Sequence, residues 1–259
     1  MHDESIRTMN LFNTGTFKRK CTISWNGDSN EYRGTAAASS GTYEYPHAAS
    51  CKKRSFRSAG CIFTGRKEEE RHCGARQFRG NPAGIILWQG DITKLACDAI
   101  VNAANSGMTG CYVPNHRCID NCIHTFAGMQ LREECAEIIE EQGYAEATGK
   151  AKITKAYNLP CKYILHTVGP IIQGTVTKKD CELLKSCYTS CLALAAENGL
   201  ESVAFCCIST GEFHFPNEKA AQIAVATVKE FLKQNTSVRK VIFNVFKDLD
   251  KAIYEGILQ

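Results

Sequence analysis

The fold is decided by residues 84–105, GIILWQGDITKLACDAIVNAAN. This stretch holds two short apolar runs, residues 85–88 and 99–101, and polar residues follow each run directly. Unbroken apolar runs of this length are typical of central strands that are covered on both faces. We therefore predict two buried strands of a layered sheet, each ending at a polar turn.

Helical and strand-like patterns alternate along the rest of the chain. Near-helical spacing of apolar residues predicts one helix over about 120–142, which Gly143 ends, and further helices over about 179–198 and 217–233. Short apolar runs predict strands at 152–154, 163–168, 202–208 and 240–246. Strands that alternate with helices indicate a layered α/β domain.

The first third of the chain has a different character. Residues 1–83 show no sustained period and no capped helix. We predict that they form a disordered N-terminal extension, or one garbled by a frameshift, because residues 34–82, back-translated and read one nucleotide further on, can encode amphipathic helical strings. The organised domain is predicted to span residues 84–259.

Composition and charge exclude several classes of protein. The chain lacks an apolar run of the ~20 residues that a membrane span needs, and its start lacks the basic-then-apolar order of a secretory signal. Its 15 cysteines are odd in number and cluster in apolar runs, which argues against a disulfide framework and predicts a reduced, cytoplasmic protein. Residues 1–84 carry a net charge of +6, but without interleaved aromatic residues or a periodic face, so nucleic acid is not a predicted partner.

A candidate metal site lies in GCYVPNHRCIDN, residues 110–121. Cys111, His116 and Cys118 can reach one ion, and zinc accepts thiolate and imidazole ligands together. Three ligands leave one position open, as in catalytic rather than structural zinc sites. Cys122 and His124 are second choices as ligands. In a chain with this many cysteines the cluster can also arise by chance, or serve as a redox sensor or a structural zinc knot.

Polar residues, and Phe246 at the end of the last strand, lie beyond the carboxyl ends of the predicted strands, where ligands of α/β sheets bind. The small residues of the Ser-Thr-Gly turn can curl their backbone N–H groups around an anion, and phosphate is the natural guest. A plain turn is the alternative there, and buried asparagines at a strand end are the alternative for the two Asn residues. The residues are Asp91, Asn102, Asn105, Ser209, Thr210, Gly211, Glu212, Phe213 and Phe246.

Four motifs together resemble a known family: GDIT at 90–93, DAIVNAAN at 98–105, GCYVPNHRCIDNCIH at 110–124 and CISTGEFHFP at 207–216. They resemble the macrodomain and, within it, the zinc-dependent macrodomains that act as protein ADP-ribosyl hydrolases. The resemblance covers residues 85 to about 258, and ordinary macrodomains carry a glycine run at the metal segment. It implies a three-layer α/β/α fold with a mixed central sheet.

The resemblance also implies a role for each site residue. Asp91 would accept the adenine amino group beside the Ile92 backbone, and Phe246 would pack near the base. Asn105 and Asn102 would hold the distal ribose, and zinc on the three predicted ligands would lie against that ribose. The diphosphate would be wrapped by Ser209, Thr210, Gly211, Glu212 and Phe213.

The implied chemistry is removal of mono-ADP-ribose from a modified protein. Asp120 and Asn105 would be the catalytic residues, with Asp120 orienting the attacking water; a helix cap is the alternative role for Asp120. Glu212 is the second candidate acid, or else an exposed loop carboxylate. The resemblance further suggests a lipoyl-carrier-type target of a sirtuin-like transferase, with ADP-ribose as product. A non-catalytic module that only binds ADP-ribose is the alternative function.

Overall fold

The computed structural model describes residues 84–234 and 236–259, together with the backbone of three two-residue strands before them. The chain divides into two compact units, Met1–Cys51 and Lys52–Gln259. In the first unit, β1 (Thr8–Met9) pairs antiparallel with β2 (Cys21–Thr22). Apart from the short strands, the predicted extension over residues 1–83 lies outside the described residues, and its boundary at residue 84 stays a prediction.

One mixed sheet of six strands forms the centre of the second unit. Its order is β4-β10-β9-β6-β8-β7, and only β7 runs antiparallel to its neighbour. A separate parallel pair joins β3 to β5. In chain order the strands of this unit are β3 (Cys73–Gly74), β4 (Ile85–Gln89), β5 (Leu95–Ala96), β6 (Ala99–Ala104), β7 (Ala151–Lys155), β8 (Tyr163–Val168), β9 (Ser202–Phe205) and β10 (Lys240–Val245).

Two groups of helices flank this sheet and confirm the three-layer α/β/α fold. The first two helices pack on each other and contact β6 and β7, whereas the last three pack side by side and reach β4, β7, β8 and β10. None of the helices in the described part of the chain is long and apolar enough to cross a membrane. The helices are α1 (Ile119–Ala127), α2 (Met129–Gln142), α3 (Lys178–Glu197), α4 (Asn217–Phe231) and α5 (Asp248–Leu258).

Several predicted elements need correction. The single helix predicted over 120–142 is two helices, because Gly128 has φ 100° and ψ 175° and cannot continue a helical turn. The strand predicted at 202–208 ends at Phe205, and α5 was not predicted. The strand predicted at 85–88 lies at the edge of the sheet rather than in its centre, so Leu87 and Trp88 are only half-buried.

The core is built from the inner strands and from cysteine thiols that pack as small apolar groups, as predicted. Ile100, Val101, Ile164 and Leu165 have no exposed surface. Burial raises the pKa of several core thiols, to about 12 for Cys135, Cys161 and Cys206. The buried free cysteines of the described residues are Cys97, Cys135, Cys161, Cys187, Cys191 and Cys206.

A carboxylate at the amino end of β6 fastens three strands together. Asp98 accepts hydrogen bonds from the backbone N–H and the hydroxyl of Ser202 at 2.9 and 2.8 Å, and from the Glu201 N–H at 3.1 Å. Its other oxygen accepts a hydrogen bond from Lys162 Nζ at 2.6 Å. Burial alone would raise the pKa of Asp98, but these donors lower it below its usual value.

Replacing Asp98 by Ala is expected to lower the free energy of unfolding by about 1–3 kcal/mol at neutral pH, because N–H groups of β9 lose their acceptor. Since the folded pKa is depressed, this contribution is present above the unfolded pKa of about 3.9 and is lost as pH falls through the lower folded value. Urea unfolding at pH 7 and at acidic pH measures both effects. Lys162→Ala is the control, expected to cost less stability than Asp98→Ala because that side chain is exposed. Equal losses in the two variants would contradict the fastening role.

Candidate functional site

The parallel strands bring the predicted binding residues to one edge of the sheet, which is the edge formed by the carboxyl ends of the strands and not the side formed by β4. Asp91 follows β4, Asn105 follows β6, Ser209 follows β9 and Phe246 follows β10. Because these strands run in parallel, their carboxyl ends meet at the same edge. Asn102 is an exception, since β6 extends to Ala104 and places Asn102 inside the strand with no exposed surface.

Asp120 is held at this edge by two asparagine amides. Asn102 Nδ2 donates to Asp120 Oδ1 at 2.8 Å, and Asn105 Nδ2 donates to Asp120 Oδ2 at 3.1 Å. Asn105 is itself fixed, because its oxygen accepts a hydrogen bond from the Gly107 N–H at 2.9 Å. Two of the predicted ribose-contacting residues therefore orient the predicted catalytic carboxylate.

The carboxyl group of Asp120 lies in a nearly dry environment. Only 5% of the residue is exposed. Burial raises its pKa, opposed by the hydrogen bond from Asn102 and by the positive charge of Arg132. Asp120 is not the N-cap of α1, which is Cys118, whose Sγ accepts a hydrogen bond from the Asn121 N–H at 3.4 Å; Asp120 lies in the first turn of α1, where a carboxylate complements the helix dipole. A buried carboxylate gripped by two amides suits a group that positions or deprotonates a water.

The three predicted metal ligands come together in the folded chain. One ligand atom each from Cys111, His116 and Cys118 lies within 4.8 Å of the others, and all three residues are half-buried. Cys111 Sγ and His116 Nδ1 are 3.3 Å apart. Two thiols and an imidazole are a donor set that zinc accepts, so the residues present fit that ion. The second-choice ligands Cys122 and His124 lie outside this group.

The three predicted ligands lie on the loop between β6 and α1, residues 105–118, the metal-ligand loop. Two polar side chains that the sequence analysis did not single out hold this loop in place. Arg132 of α2 donates to the carbonyl oxygens of Thr109 at 2.6 Å and Cys111 at 3.4 Å. Asn121 Nδ2 donates to the Cys111 oxygen at 3.0 Å and to the Val113 oxygen at 3.2 Å. Nothing in the sequence marks either residue, because a polar side chain on a helix usually faces solvent.

The residue after the Ser-Thr-Gly turn, Glu212, lies beside the metal-ligand loop. His116 Nε2 is 3.5 Å from Glu212 Oε1, and the Glu212 side chain is exposed. Its position beside a candidate metal ligand distinguishes Glu212 from a carboxylate that points only into solvent. Carboxylates next to the second nitrogen of a metal-binding histidine commonly orient its ring.

Strained backbone and close packing shape the same turn. Ser209 has φ 65°, is buried, and its hydroxyl has no partner in the described structure. A Cβ on Gly169, which follows β8, would overlap Ser209 Oγ and lie 2.9 Å from Ile208 Cγ2. Gly169 therefore allows the two strand ends to approach, a requirement the sequence analysis missed.

The far end of the edge carries the predicted base-binding residues. Asp91 caps a short 3-10 helix (Ile92–Lys94), accepting hydrogen bonds from the N–H and hydroxyl of Thr93 at 3.0 and 2.6 Å. Ile92 is buried. Phe246 is 74% exposed, which leaves its ring free to pack on a planar group. The binding roles of these residues stay predictions.

Comparison with known proteins gives consistent matches. The model of the Macro domain family matches residues 101–224. A protein-ADP-ribose hydrolase of Treponema medium is 64% identical over 180 residues, which cover 70% of this chain and 69% of that protein. One from Staphylococcus aureus (strain MSSA476) is 59% identical over 172 residues, covering 66% and 65%. A Trypanosoma brucei macrodomain solved in complex with ADP-ribose is 34% identical, with a TM-score of 0.63, and the match covers 73% of this chain and 78% of that one.

Proposed function

Because this chain belongs to the macrodomain family, we propose that it is a zinc-dependent hydrolase that removes mono-ADP-ribose from modified proteins. The observation that carries the proposal is the buried carboxylate of Asp120, held by Asn102 and Asn105 at the ligand-binding edge of the sheet. A module that only binds ADP-ribose has no need of an oriented carboxylate there. The relatives named protein-ADP-ribose hydrolases, which match about two thirds of this chain, support the same activity.

The edge of the sheet can hold ADP-ribose in an extended pose. Asp91 and the Ile92 backbone would bind the adenine, and Phe246 would stack near it. The turn that begins at Ser209 would wrap the diphosphate with its backbone N–H groups. Asn105 would then contact the distal ribose, next to Asp120.

Zinc fits the group formed by Cys111, His116 and Cys118, because its soft donors converge within bonding range of one ion. When bound there, zinc would supply positive charge to a ribose hydroxyl or a water as Lewis acid, template or source of hydroxide. Arg132 and Asn121 would keep the loop backbone in the geometry that the ligands require.

The chain's own residues would perform the proton transfer. Asp120 would hold a water by accepting its hydrogen bond, aim its oxygen at the anomeric carbon of the distal ribose, and take up a proton as that oxygen bonds to the carbon. The bond from this carbon to the target side chain breaks in the same reaction; the target atom leaves with the bonding electrons and takes a proton from solvent, Asp120 returns its proton to solvent, and free ADP-ribose remains. Asn102 and Asn105 would fix the carboxylate in line with the reacting carbon, which is a positioning contribution.

We extend the proposal to the target on the resemblance of the metal segment: a lipoyl-carrier-type protein modified by a sirtuin-like transferase. The test is release of ADP-ribose from such a mono-ADP-ribosylated carrier, and from proteins modified on acidic side chains, with zinc measured in each sample. Release from the carrier supports the full proposal, and release only from acidic side chains overturns the target. Binding of ADP-ribose without release from any substrate would make the protein a binding module.

Replacing Gly169 by Ala is expected to weaken ADP-ribose binding by about 1–3 kcal/mol, because the new methyl group displaces Ser209 and the turn that would wrap the diphosphate. Isothermal titration calorimetry measures the affinity, and a melting curve checks the fold. Gly256→Ala in α5 is the matched control, since nothing lies within 4 Å of that added methyl group. Unchanged affinity in Gly169→Ala would show that this turn does not bind ADP-ribose.

A further inference from the structure

A chain of buried polar side chains runs from Asp120 into the core. Asn102 Nδ2 contacts Asp120 Oδ1 at 2.8 Å and also His166 Nδ1 at 3.2 Å. His166 Nε2 in turn contacts Thr154 Oγ1 at 2.9 Å. Asn102 and His166 have no exposed surface, and Thr154 is 2% exposed. Burying a polar group costs free energy unless the group is hydrogen-bonded, so this series of hydrogen-bonded side chains is not an accident of packing.

The donor and the acceptor at each contact in this series of side chains follow from the chemistry of the two partners. The Asp120 carboxylate is an acceptor, so the Asn102 atom beside it must be the NH₂ nitrogen. The second N–H of that amide then points at His166 Nδ1, which must be an acceptor. Asn102 Oδ1 has no partner, whereas in the reversed orientation it would lie against the carboxylate and the NH₂ group would be left unbonded.

The tautomer of His166 is therefore determined. A neutral imidazole that accepts at Nδ1 carries its hydrogen on Nε2, and Thr154 Oγ1 receives that hydrogen. Burial lowers the pKa of His166 to about 3, in agreement with a neutral ring. The protonated ring or the other tautomer would place an N–H against the Asn102 N–H.

A metal ion at this place is disfavoured by the same bonds. His124, Cys135 and His166 form a second group of metal-type side chains in the core. However, both nitrogens of His166 are used, one by Asn102 and one by Thr154. Neither has a free lone pair for an ion, so His166 is a hydrogen-bonding residue there rather than a metal ligand.

We propose that His166 is a positioning residue for hydrolysis, which fixes the Asn102 amide so that its N–H faces Asp120. This inference rests on the proposed function. Its acceptor nitrogen binds the second N–H of the Asn102 amide, so His166 and Asp120 together allow only one orientation of Asn102, and that amide shares with Asn105 the task of holding the Asp120 carboxylate. Thr154 acts one step further away, by keeping the hydrogen of His166 on Nε2.

The sharpest test is a matched pair at position 166. His166→Asn keeps an acceptor near the place of Nδ1, whereas His166→Leu has nearly the same shape and no acceptor. We expect His166→Leu to lower kcat by about 10- to 100-fold with KM and the Kd for ADP-ribose unchanged, and His166→Asn to recover most of that loss. Equal kcat values in the two variants would overturn the inference.

A second pair at position 154 keeps the test decisive if a variant at 166 does not fold. Thr154→Val removes the hydroxyl at constant shape, and Thr154→Ser retains it. We expect Thr154→Val alone to lower kcat by about tenfold with the Kd for ADP-ribose unchanged, and to lower the melting temperature by a few degrees because the buried His166 N–H loses its acceptor. Equal rates in Thr154→Val and Thr154→Ser would overturn the role of Thr154 and, with it, the positioning role of His166.

The tautomer itself is measurable without activity. Two-dimensional ¹H–¹⁵N spectra of the imidazoles of the wild type are expected to show His166 with its hydrogen on Nε2, and Thr154→Val to shift that signal. A hydrogen on Nδ1 in the wild type would refute the positioning inference. A wild type that binds ADP-ribose, shows the expected tautomer and hydrolyses no substrate would instead refute the proposed function.

Discussion

Asp120→Asn is expected to lower kcat for ADP-ribose release by about 10²- to 10⁴-fold, the usual contribution of a positioned acid or base. The substitution preserves the shape of the side chain but removes the negative charge that, in the proposed mechanism, would orient the water and take up its proton. Binding of ADP-ribose is expected to persist, because the proposed adenine and diphosphate contacts lie elsewhere along the edge. Single-turnover release and titration calorimetry measure the two quantities separately.

The control for this variant is Glu212→Gln, which removes the charge of the second candidate acid. Glu212 is exposed and contacts His116, so we expect a smaller loss of kcat, about tenfold, at the low end for a group that orients a metal ligand. The reverse ranking would assign the catalytic acid to Glu212. If Asp120→Asn lowers the melting temperature so far that unfolding accounts for the lost rate, the role of Asp120 is structural only.

Loss of zinc is expected to abolish release without unfolding the domain. Several kcal/mol of transition-state stabilisation correspond to roughly a 100- to 1,000-fold loss of rate. Cys118→Ser tests this within the chain, because an uncharged serine hydroxyl is a poor zinc ligand yet a favoured N-cap, so α1 keeps its capping acceptor. We expect zinc content and rate to fall together and the melting temperature to change by only a few degrees.

Cys122→Ser is the matched control for the metal-ligand variant. Cys122 lies one turn further along α1 and outside the group of three ligands. It should keep both zinc and activity. Full activity in a sample shown to contain no zinc would rule out zinc dependence, whereas unfolding on chelation would make the ion structural.

The sequence predicted which residues come together wherever their place at the end of a strand is enough to locate them in the fold. Asp91, Asn105 and Ser209 follow parallel strands, so their convergence at one edge needs only the alternation of strands and helices. The proximity of Cys111, His116 and Cys118 needs only a short loop. Their spacing in the sequence is close enough to bring them together without any knowledge of the sheet.

The sequence could not predict contacts that depend on register or on distant packing. His166 lies within an apolar strand, and only the pairing of β8 with β6 places it opposite Asn102. Arg132 reaches the metal-ligand loop because α2 packs on α1 after the break at Gly128. That break was missed because apolar spacing continues through Gly128, and only its backbone conformation reveals the end of a helix.

The raised pKa values of the core cysteines have a consequence for how the protein responds to oxidants and alkylating reagents. These reagents attack thiolates, and a thiol with a pKa near 12, such as Cys135, Cys161 or Cys206, is almost entirely protonated in a neutral cell. The core thiols are therefore protected by both burial and protonation. Mild oxidation would reach half-buried thiols such as Cys111 before the core thiols, and because Cys111 is a proposed metal ligand, the protein would be inactivated while still folded, in a form that reducing agents could restore.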